Sequence, residues 1–116
     1  MALRVYVAGK FEEAARIQEI MDLVVSHGNV ITYNWCRQEQ ASAKQAILDL
    51  RGVADADVVI MVLEKDLPYA GTYAELGAAL VLGKPVYVLG EYGRKCIFLK
   101  HPNVQFVDVE ELCQQI

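Results

Sequence analysis

Short apolar stretches alternate along the chain with longer segments in which apolar residues recur every three or four positions. The short stretches predict strands, and the longer segments predict helices. The continuous apolar run of the third strand is typical of a parallel strand that is buried on both faces. The predicted strands are Leu3–Ala8, Asn29–Tyr33, Asp57–Leu63, Val86–Leu89 and Val104–Val107, and the predicted helices are Glu12–His27, Ala41–Ala54, Thr72–Leu82 and Val109–Gln115.

The order of these elements predicts one α/β domain that covers residues 1–116. Helices join the first four strands, which is typical of a doubly wound, three-layer fold with a mostly parallel sheet of about five strands. Such a Rossmann- or flavodoxin-like sheet binds ligands beyond the carboxyl ends of its strands. Functional residues are therefore expected in the segments that follow Ala8, Tyr33 and Leu63.

The apolar positions of the first two helices indicate which side of each helix faces the core. On the first helix, Glu12 and Arg16 are four positions apart and predict a solvent-exposed ion pair. The expected core-facing residues are Ala15, Ile17, Ile20, Met21, Val24 and Val25 on the first helix, and Ala43, Ala46, Ile47, Leu50 and Val53 on the second.

Composition narrows the classes of function. The 116 residues include 11 basic and 15 acidic side chains, a net charge of −4, and 54% are hydrophobic. An acidic balance does not favour binding to nucleic acids or anionic membranes. No apolar run reaches the roughly 20 residues that span a bilayer, and the amino-terminal residues lack the pattern of a signal peptide. The three widely spaced cysteines, Cys36, Cys96 and Cys113, indicate reduced thiols in a cytoplasmic protein.

The residues that follow the first two strands offer candidate ligand contacts. Gly9 and Lys10 follow the first strand without the glycine spacing of known nucleotide-binding loops, and Gly9 is equally explained by a tight turn. Asn34 and Trp35 follow the second strand and have the chemistry to hydrogen-bond and stack on a planar ligand. Trp35 is equally suited to covering the edge of the core.

The segment after the third strand contains the most informative acid, Glu75. At the start of a helix, the helix dipole favours an ionised carboxylate. The pattern Thr72-x-x-Glu75 also fits a capping box, in which the carboxylate would bond to the backbone and have only a structural role. The positions three and four residues away are Gly71, Thr72, Ala78 and Ala79, which provide no basic partner and leave room for a ligand.

Asp49, on the flank of the second predicted helix, also lacks a local basic partner. The positions three and four residues away are Gln45, Ala46, Gly52 and Val53. A flank position on a helix is as often solvated as functional. Two unpaired carboxylates nevertheless suit glycosyl chemistry, in which one is the nucleophile and the other positions the substrate or relays a proton.

Four stretches of the chain carry a family resemblance. The most specific is G-x-x-x-E-x-G-x-A-x-x-x-G-K-P, from Gly71 to Pro85. The others are VYVAG at Val5–Gly9, D-x(7)-D-V-V-I at Asp49–Ile60, and HPNVQFVDVEEL at His101–Leu112. Together they cover most of the chain, which resembles the nucleoside 2-deoxyribosyltransferase family and its relatives that hydrolyse deoxynucleoside 5′-monophosphates.

The resemblance implies roles for several residues. Glu75 matches the family's nucleophile, which attacks the anomeric carbon and forms a covalent deoxyribosyl-enzyme, and Asp49 matches the helix aspartate of the active site. The family builds its pockets at subunit interfaces, which implies a homo-oligomer. The residues that match the sugar pocket, or the strand edge that faces base or sugar, are Tyr6, Gly9, Gly71 and Asn34.

Some positions depart from the family pattern. Six residues before the glutamate, Tyr69 replaces the aspartate of the transferases and the serine of the monophosphate hydrolases, so neither substrate assignment transfers. Lys10 stands where the hydrolases hold phosphate with a serine, and a cation suits phosphate in a different way. The chain ends in Gln114-Gln115-Ile116 without the pocket-closing tyrosine of the transferases, and near Cys96 it has Ile97-Phe98 where a partner's polar residue is expected.

These observations predict an enzyme of nucleotide salvage that acts on the N-glycosidic bond of a (deoxy)nucleoside or its 5′-monophosphate, without a metal or redox cofactor. The sugar passes from Glu75 to a second base in a transferase or to water in a hydrolase, and Lys10 favours hydrolysis. The stretch Tyr69–Glu75 is also similar to the loop of cytokinin-activating phosphoribohydrolases, without its doubled glycine. A nucleotide-sensing module that binds without turnover is the alternative from a different class. Trp35 and Thr72 complete the expected substrate contacts.

Overall fold

Five parallel strands form the central sheet in a computed structural model that describes residues 2–37 and 41–116. The strands are β1 (Arg4–Ala8), β2 (Val30–Ile31), β3 (Val58–Val62), β4 (Val86–Leu89) and β5 (Val104–Phe106). Their spatial order is β2-β1-β3-β4-β5, which confirms the predicted doubly wound class. The second strand is shorter than predicted, and the fourth has the predicted bounds.

Four helices in the described part of the chain cover the sheet. They are α1 (Ala14–Ser26), α2 (Ala43–Asp55), α3 (Ala70–Val81) and α4 (Val109–Gln115), with 3₁₀ turns at Phe11–Glu13 and Ile97–Lys100. Right-handed crossovers place α2 and α3 together on one face and α1 on the other, and α2 packs against α3. None of the helices in the described ranges is long and apolar enough to cross a membrane.

Side-chain caps set the start of two helices. The Ser42 hydroxyl accepts a hydrogen bond from the backbone N–H of Gln45 at 3.1 Å and caps α2. Asp108 and Glu111 form a capping box at the start of α4, each accepting a bond from the other's backbone N–H. These bonds satisfy backbone donors that a helix leaves free in its first turn.

Lys84, in the Gly-Lys-Pro sequence that follows α3, holds the end of α2. Its ammonium group donates hydrogen bonds to the backbone carbonyls of Ala54 at 2.9 Å and Ala56 at 2.7 Å. Cations are favoured at helix carboxyl ends, where carbonyl groups lack intrahelical partners. This lysine therefore ties α2 to the strand β4 that follows it.

The core lies on both sides of β1 and β3 and is completed by α1. The prediction holds for Ile17, Ile20, Met21 and Val24, which are buried, but it is wrong for Ala15 and Val25, which are exposed. On α2 the prediction is wrong except at Val53, since its other expected core residues are exposed, with Ile47 at 57% and Leu50 at 47%. Periodicity identifies an apolar side of a helix but does not tell what covers it.

The expected pair of Glu12 and Arg16 does not form. Arg16 reaches across to Glu64 at the end of β3 with two hydrogen bonds, of 2.8 and 3.2 Å, while Glu12 pairs with Lys10. The forked guanidinium matches both oxygen atoms of one carboxylate, which favours the longer-range partner. The ion pair of Arg16 and Glu64 holds α1 against the carboxyl end of β3.

The three cysteines, Cys36, Cys96 and Cys113, are free.

Candidate active site

A cleft of about 480 Å³ opens at the carboxyl ends of β1 and β3. The chain leaves these neighbouring strands towards opposite edges of the sheet, which creates a crevice between the connecting segments. The volume lies in the range of small-molecule sites, roughly 300–1,000 Å³. The cleft is lined by Gly9, Lys10, Phe11, Glu12, Trp35, Ala41, Ser42, Gln45, Ala46, Asp49, Pro68, Tyr69, Ala70, Gly71, Thr72 and Glu75.

The helix that carries Glu75 begins earlier than the sequence predicts. Helix α3 starts at Ala70, and the backbone N–H of Tyr73 donates to the carbonyl of Tyr69 at 2.9 Å. Thr72 and Glu75 therefore lie inside the helix, where they cannot cap it. The capping-box interpretation of these two residues is wrong.

Glu75 is a buried acid in the second turn of α3. It is 9% exposed, and its Oε2 atom has no hydrogen-bond partner in the described part of the chain. Loss of hydration disfavours the charged form and raises the pKa of Glu75 to about 8, a rise that the Tyr6 hydroxyl opposes and the negative charge of Asp49 increases. The expectation that the helix dipole keeps it ionised is wrong, because the dipole acts mainly in the first turn.

Asp49 and Tyr6 approach Glu75 from α2 and β1. Burial raises the pKa of Asp49, whose Oδ1 atom has no hydrogen-bond partner among the described residues. Tyr6 is fully buried, and its burial and the neighbouring Glu75 carboxyl raise the pKa of the phenol. Its hydroxyl lies near Glu75 without a well-formed bond to any described residue.

Gly52, one turn after Asp49, lets α2 approach β1 closely. A Cβ atom at this position would lie 2.7 Å from Cδ1 of the Tyr6 ring and 3.0 Å from Cβ of Tyr33. Any side chain larger than hydrogen would push the helix away from the strand. The glycine therefore allows the helix that carries Asp49 to lie close to Tyr6.

Lys10 and Tyr69 lie at the wall formed by the two strand-end loops. The Lys10 ammonium donates to the carbonyl of Pro68 at 2.7 Å and lies 3.4 Å from the Glu12 carboxylate. The Tyr69 hydroxyl donates to Oε1 of the buried Glu13 at 2.6 Å. Because this hydroxyl is already bonded, residue 69 presents mainly its aromatic ring to the cleft.

The remaining predicted residues divide between the cleft and the scaffold. Gly71 lines the cleft, and a Cβ atom there would meet nothing within 4 Å among the described atoms. Gly9 has no left-handed backbone, but a Cβ atom there would collide with Ile17 of α1. Close packing rather than a tight turn therefore explains this glycine. Trp35 is 5% exposed and donates to the carbonyl of Val7 at 2.8 Å, so it both covers the core and lines the cleft.

Asn34 lies outside the cleft. Its amide donates to Oε1 of Gln18 on α1 at 3.0 Å, and its carbonyl oxygen accepts from the backbone N–H of Cys36 at 2.9 Å. The side chain is thereby used to shape the turn after β2. The structure brings the other predicted residues to the cleft wall, with Tyr6 directly behind Glu75.

Sequence reasoning gave no role to two polar residues, Gln45 and Glu13. Gln45 lines the cleft one turn before Asp49, and its Oε1 atom is buried with no hydrogen-bond partner in the described ranges. Glu13 is 3% exposed and holds Tyr69. The sequence does contain a signal for both residues, because positions four apart share one side of a helix. Glu13 has this spacing to the core residue Ile17, and Gln45 has it to Asp49.

Comparison with known proteins identifies a matching family model and structures with the same fold. The family model described as nucleoside 2-deoxyribosyltransferase matches residues 5–112. No curated protein sequence matches the chain. The family match covers all the residues at the cleft, from Tyr6 to Glu75.

Solved structures share the fold. The CMP N-glycosidase BcmB of Clostridium botulinum is 21% identical with a TM-score of 0.72, over 97% of this chain and 96% of that one. A 2-deoxyribosyltransferase of Bacillus psychrosaccharolyticus is 18% identical with a TM-score of 0.72, over 97% and 91%. A conserved protein of Enterococcus faecalis V583 is 17% identical with a TM-score of 0.58, over 98% and 96%.

Proposed function

Because this chain belongs to the nucleoside 2-deoxyribosyltransferase family, we propose that it cleaves the N-glycosidic bond of a (deoxy)nucleoside through Glu75. One observation carries the assignment of residues: Glu75 and Asp49 line the same cleft, and each has a buried oxygen atom without a hydrogen-bond partner among the described residues. Such atoms leave bonding capacity for the hydroxyl groups of a bound sugar.

In the proposed reaction, an ionised Glu75 oxygen attacks the anomeric carbon while the base departs with the electron pair of the glycosidic bond. The resulting glycosyl ester then transfers its sugar to a nitrogen of a second base or to water. The nearby Tyr6 hydroxyl favours the ionised form of Glu75. Asp49, whose pKa is raised by burial, orients the sugar or exchanges a proton with the departing base.

A 5′-monophosphate substrate with transfer to water is the second candidate. Lys10 supports it, because this residue lines the same cleft as the start of α3, where no side chain of the described residues caps the backbone N–H groups. Both features attract an anionic group. A free 5′-hydroxyl would gain little from either one.

Product analysis separates these reactions. The protein is incubated with deoxynucleosides, ribonucleosides and their 5′-monophosphates, with and without a second free base, and the products are separated by chromatography. A new nucleoside identifies a transferase, and free base alone identifies a hydrolase. Binding without turnover, measured by quenching of Trp35 fluorescence, supports a nucleotide sensor instead.

Variants test the role of Glu75 directly. Glu75→Ala and Glu75→Gln are expected to abolish turnover, whereas the same changes at the exposed Glu91 are expected to leave it intact. Mass spectrometry of protein quenched during turnover is expected to find the mass of the sugar on the peptide that contains Glu75. An unchanged rate in Glu75→Ala would show that this residue is not the nucleophile.

We further propose that a second copy of this chain closes the cleft. Ile47 and Leu50 flank Asp49 on α2 and are 57% and 47% exposed, and Ile97 and Phe98 form another exposed apolar pair. Apolar side chains beside an open ligand cleft are typical of an interaction surface. The exposed side of α2 and the side of the cleft that the described residues leave open are then covered by the same contact.

Sedimentation measurements test the assembly. The wild-type chain is expected to sediment as a homo-oligomer, and Ile47→Glu or Leu50→Glu is expected to give monomers with weakened substrate binding. Val25→Glu is the matched control, because Val25 is equally exposed on α1, across the sheet from the cleft helices. A wild-type monomer with full activity would refute the proposal.

A further inference from the structure

Gln45 is an uncharged polar residue of α2 that lines the cleft and lacks a hydrogen-bond partner for its side-chain oxygen among the described residues. Its Oε1 atom is buried without a hydrogen-bond partner in the described residues. The hydroxyl of Ser42, which caps α2, accepts a bond from the backbone N–H of Gln45 and does not involve the Gln45 side chain. A buried carbonyl oxygen without a partner is unfavourable, so this atom is suited to a bond that a ligand supplies.

The wall around Gln45 differs in charge from the opposing loops. The loops after β1 and β3 contribute Lys10 with its partner Glu12, and the start of α3, where no side chain of the described residues caps the backbone N–H groups. The α2 wall near Gln45 is formed by small, uncharged residues, Ala41, Ser42 and Ala46. An anionic or hydroxylated part of a ligand is favoured at the loops, and a neutral part is favoured beside α2.

We propose that Gln45 recognises the leaving base of the substrate, a deduction that rests on the proposed N-glycosidic chemistry. A carboxamide offers one acceptor and two donors in a plane, which matches the adjacent donor and acceptor atoms at the edge of a nucleobase. Gln45 lies four residues before Asp49, about one helical turn, which is about 6 Å along the helix axis. This separation would allow Asp49 to contact the sugar while Gln45 contacts the base that is bonded to it.

A comparison of two leaving groups tests this role. The substrates are nucleosides and a 4-nitrophenyl glycoside of the same sugar, which carries its leaving group on the same anomeric carbon through oxygen instead of nitrogen and lacks a base edge. In Gln45→Leu, the ratio of kcat/KM for the nucleoside to kcat/KM for the aryl glycoside is expected to fall 10- to 100-fold. Gln114→Leu, the same change on an exposed position of α4, is expected to leave this ratio unchanged.

A binding measurement separates base recognition from catalysis. In the Glu75→Gln background, Trp35 fluorescence reports the Kd of a free base, and adding Gln45→Leu is expected to raise this Kd at least 10-fold. Equal losses with both leaving groups, or an unchanged Kd, would overturn the role of Gln45. If the wild-type protein cleaves neither substrate but the Kd still rises, the proposed reaction fails while base recognition by Gln45 stands.

Discussion

Glu75→Gln is expected to stabilise the protein, and increasingly so as the pH rises. The carboxyl group has a pKa of about 8 in the folded chain, against an ordinary value of 4.5. Between these values the unfolded chain releases the Glu75 proton while the folded chain retains it. The folded state then binds more protons, so the stability of the wild-type protein falls as the pH rises through this interval.

The magnitude follows from the width of that interval. From 4.5 to about 8 is roughly 3.5 pH units, and each unit corresponds to about 1.4 kcal/mol, so the full effect is about 5 kcal/mol. A glutamine is neutral at every pH and nearly the same shape as the protonated acid. The gain in unfolding free energy of Glu75→Gln is therefore expected to grow from about 2 kcal/mol at pH 6 to about 5 kcal/mol at pH 8.5.

Urea unfolding measures this difference. Wild type, Glu75→Gln and the control Glu91→Gln are unfolded at equal concentration between pH 6 and pH 8.5, with Trp35 fluorescence and circular dichroism as signals. The control removes one carboxylate from an exposed position and is expected to follow the wild type within about 0.5 kcal/mol. A stability difference for Glu75→Gln that is flat or shrinks with pH would refute the conclusion that burial keeps this acid protonated.

Three further predictions concern the same cleft and its scaffold. If an ionised Glu75 is the nucleophile, kcat/KM is expected to rise with pH up to about 8 and then level off; a fall above pH 8 would identify it as a general acid. Gly71→Ala and Gly77→Ala, both in α3 with open space for a Cβ atom, are expected to stabilise the helix by about 0.5–1 kcal/mol each. Only Gly71→Ala should weaken substrate binding in titrations, and equal binding losses would contradict a role for Gly71. Lys84→Met is expected to lower the unfolding free energy by about 2 kcal/mol in urea denaturation, through loss of two charge-assisted bonds at the end of α2, whereas the exposed Lys44→Met should change little.

The start of a helix or strand can be predicted from the sequence where the groups that fix it are close together in the chain. The bounds of β4 and α4 agree with prediction, because Pro85 precedes the strand and the capping box of Asp108 and Glu111 begins the helix. The Thr72 and Glu75 pattern has the same spacing but no capping bonds, since α3 begins earlier. A capping pattern indicates a helix start only where the chain is not already helical.

Packing of α2 could not be predicted from periodicity. Its apolar side was expected to face the core, but Ile47 and Leu50 are exposed and Val53 is buried. The close approach of the helix to β1 is set by Gly52 against Tyr6. That contact joins residues far apart in sequence, so no local pattern reports it.

The sequence by itself determined the fold class, the family and the two acids at the cleft. Buried parallel strands require continuous apolar runs, and the motif at Gly71–Pro85 is a fixed series of residue types, so both can be identified from the sequence. Only the tertiary structure decided the environment of these acids. Burial in the folded chain excludes water from Glu75 and raises its pKa, and the negative charge of Asp49 adds to the rise while the Tyr6 hydroxyl opposes it. The partners of Lys10, Tyr69 and Asn34 belong to other elements. Desolvation depends on what surrounds an atom in space, which the order of residues does not specify locally.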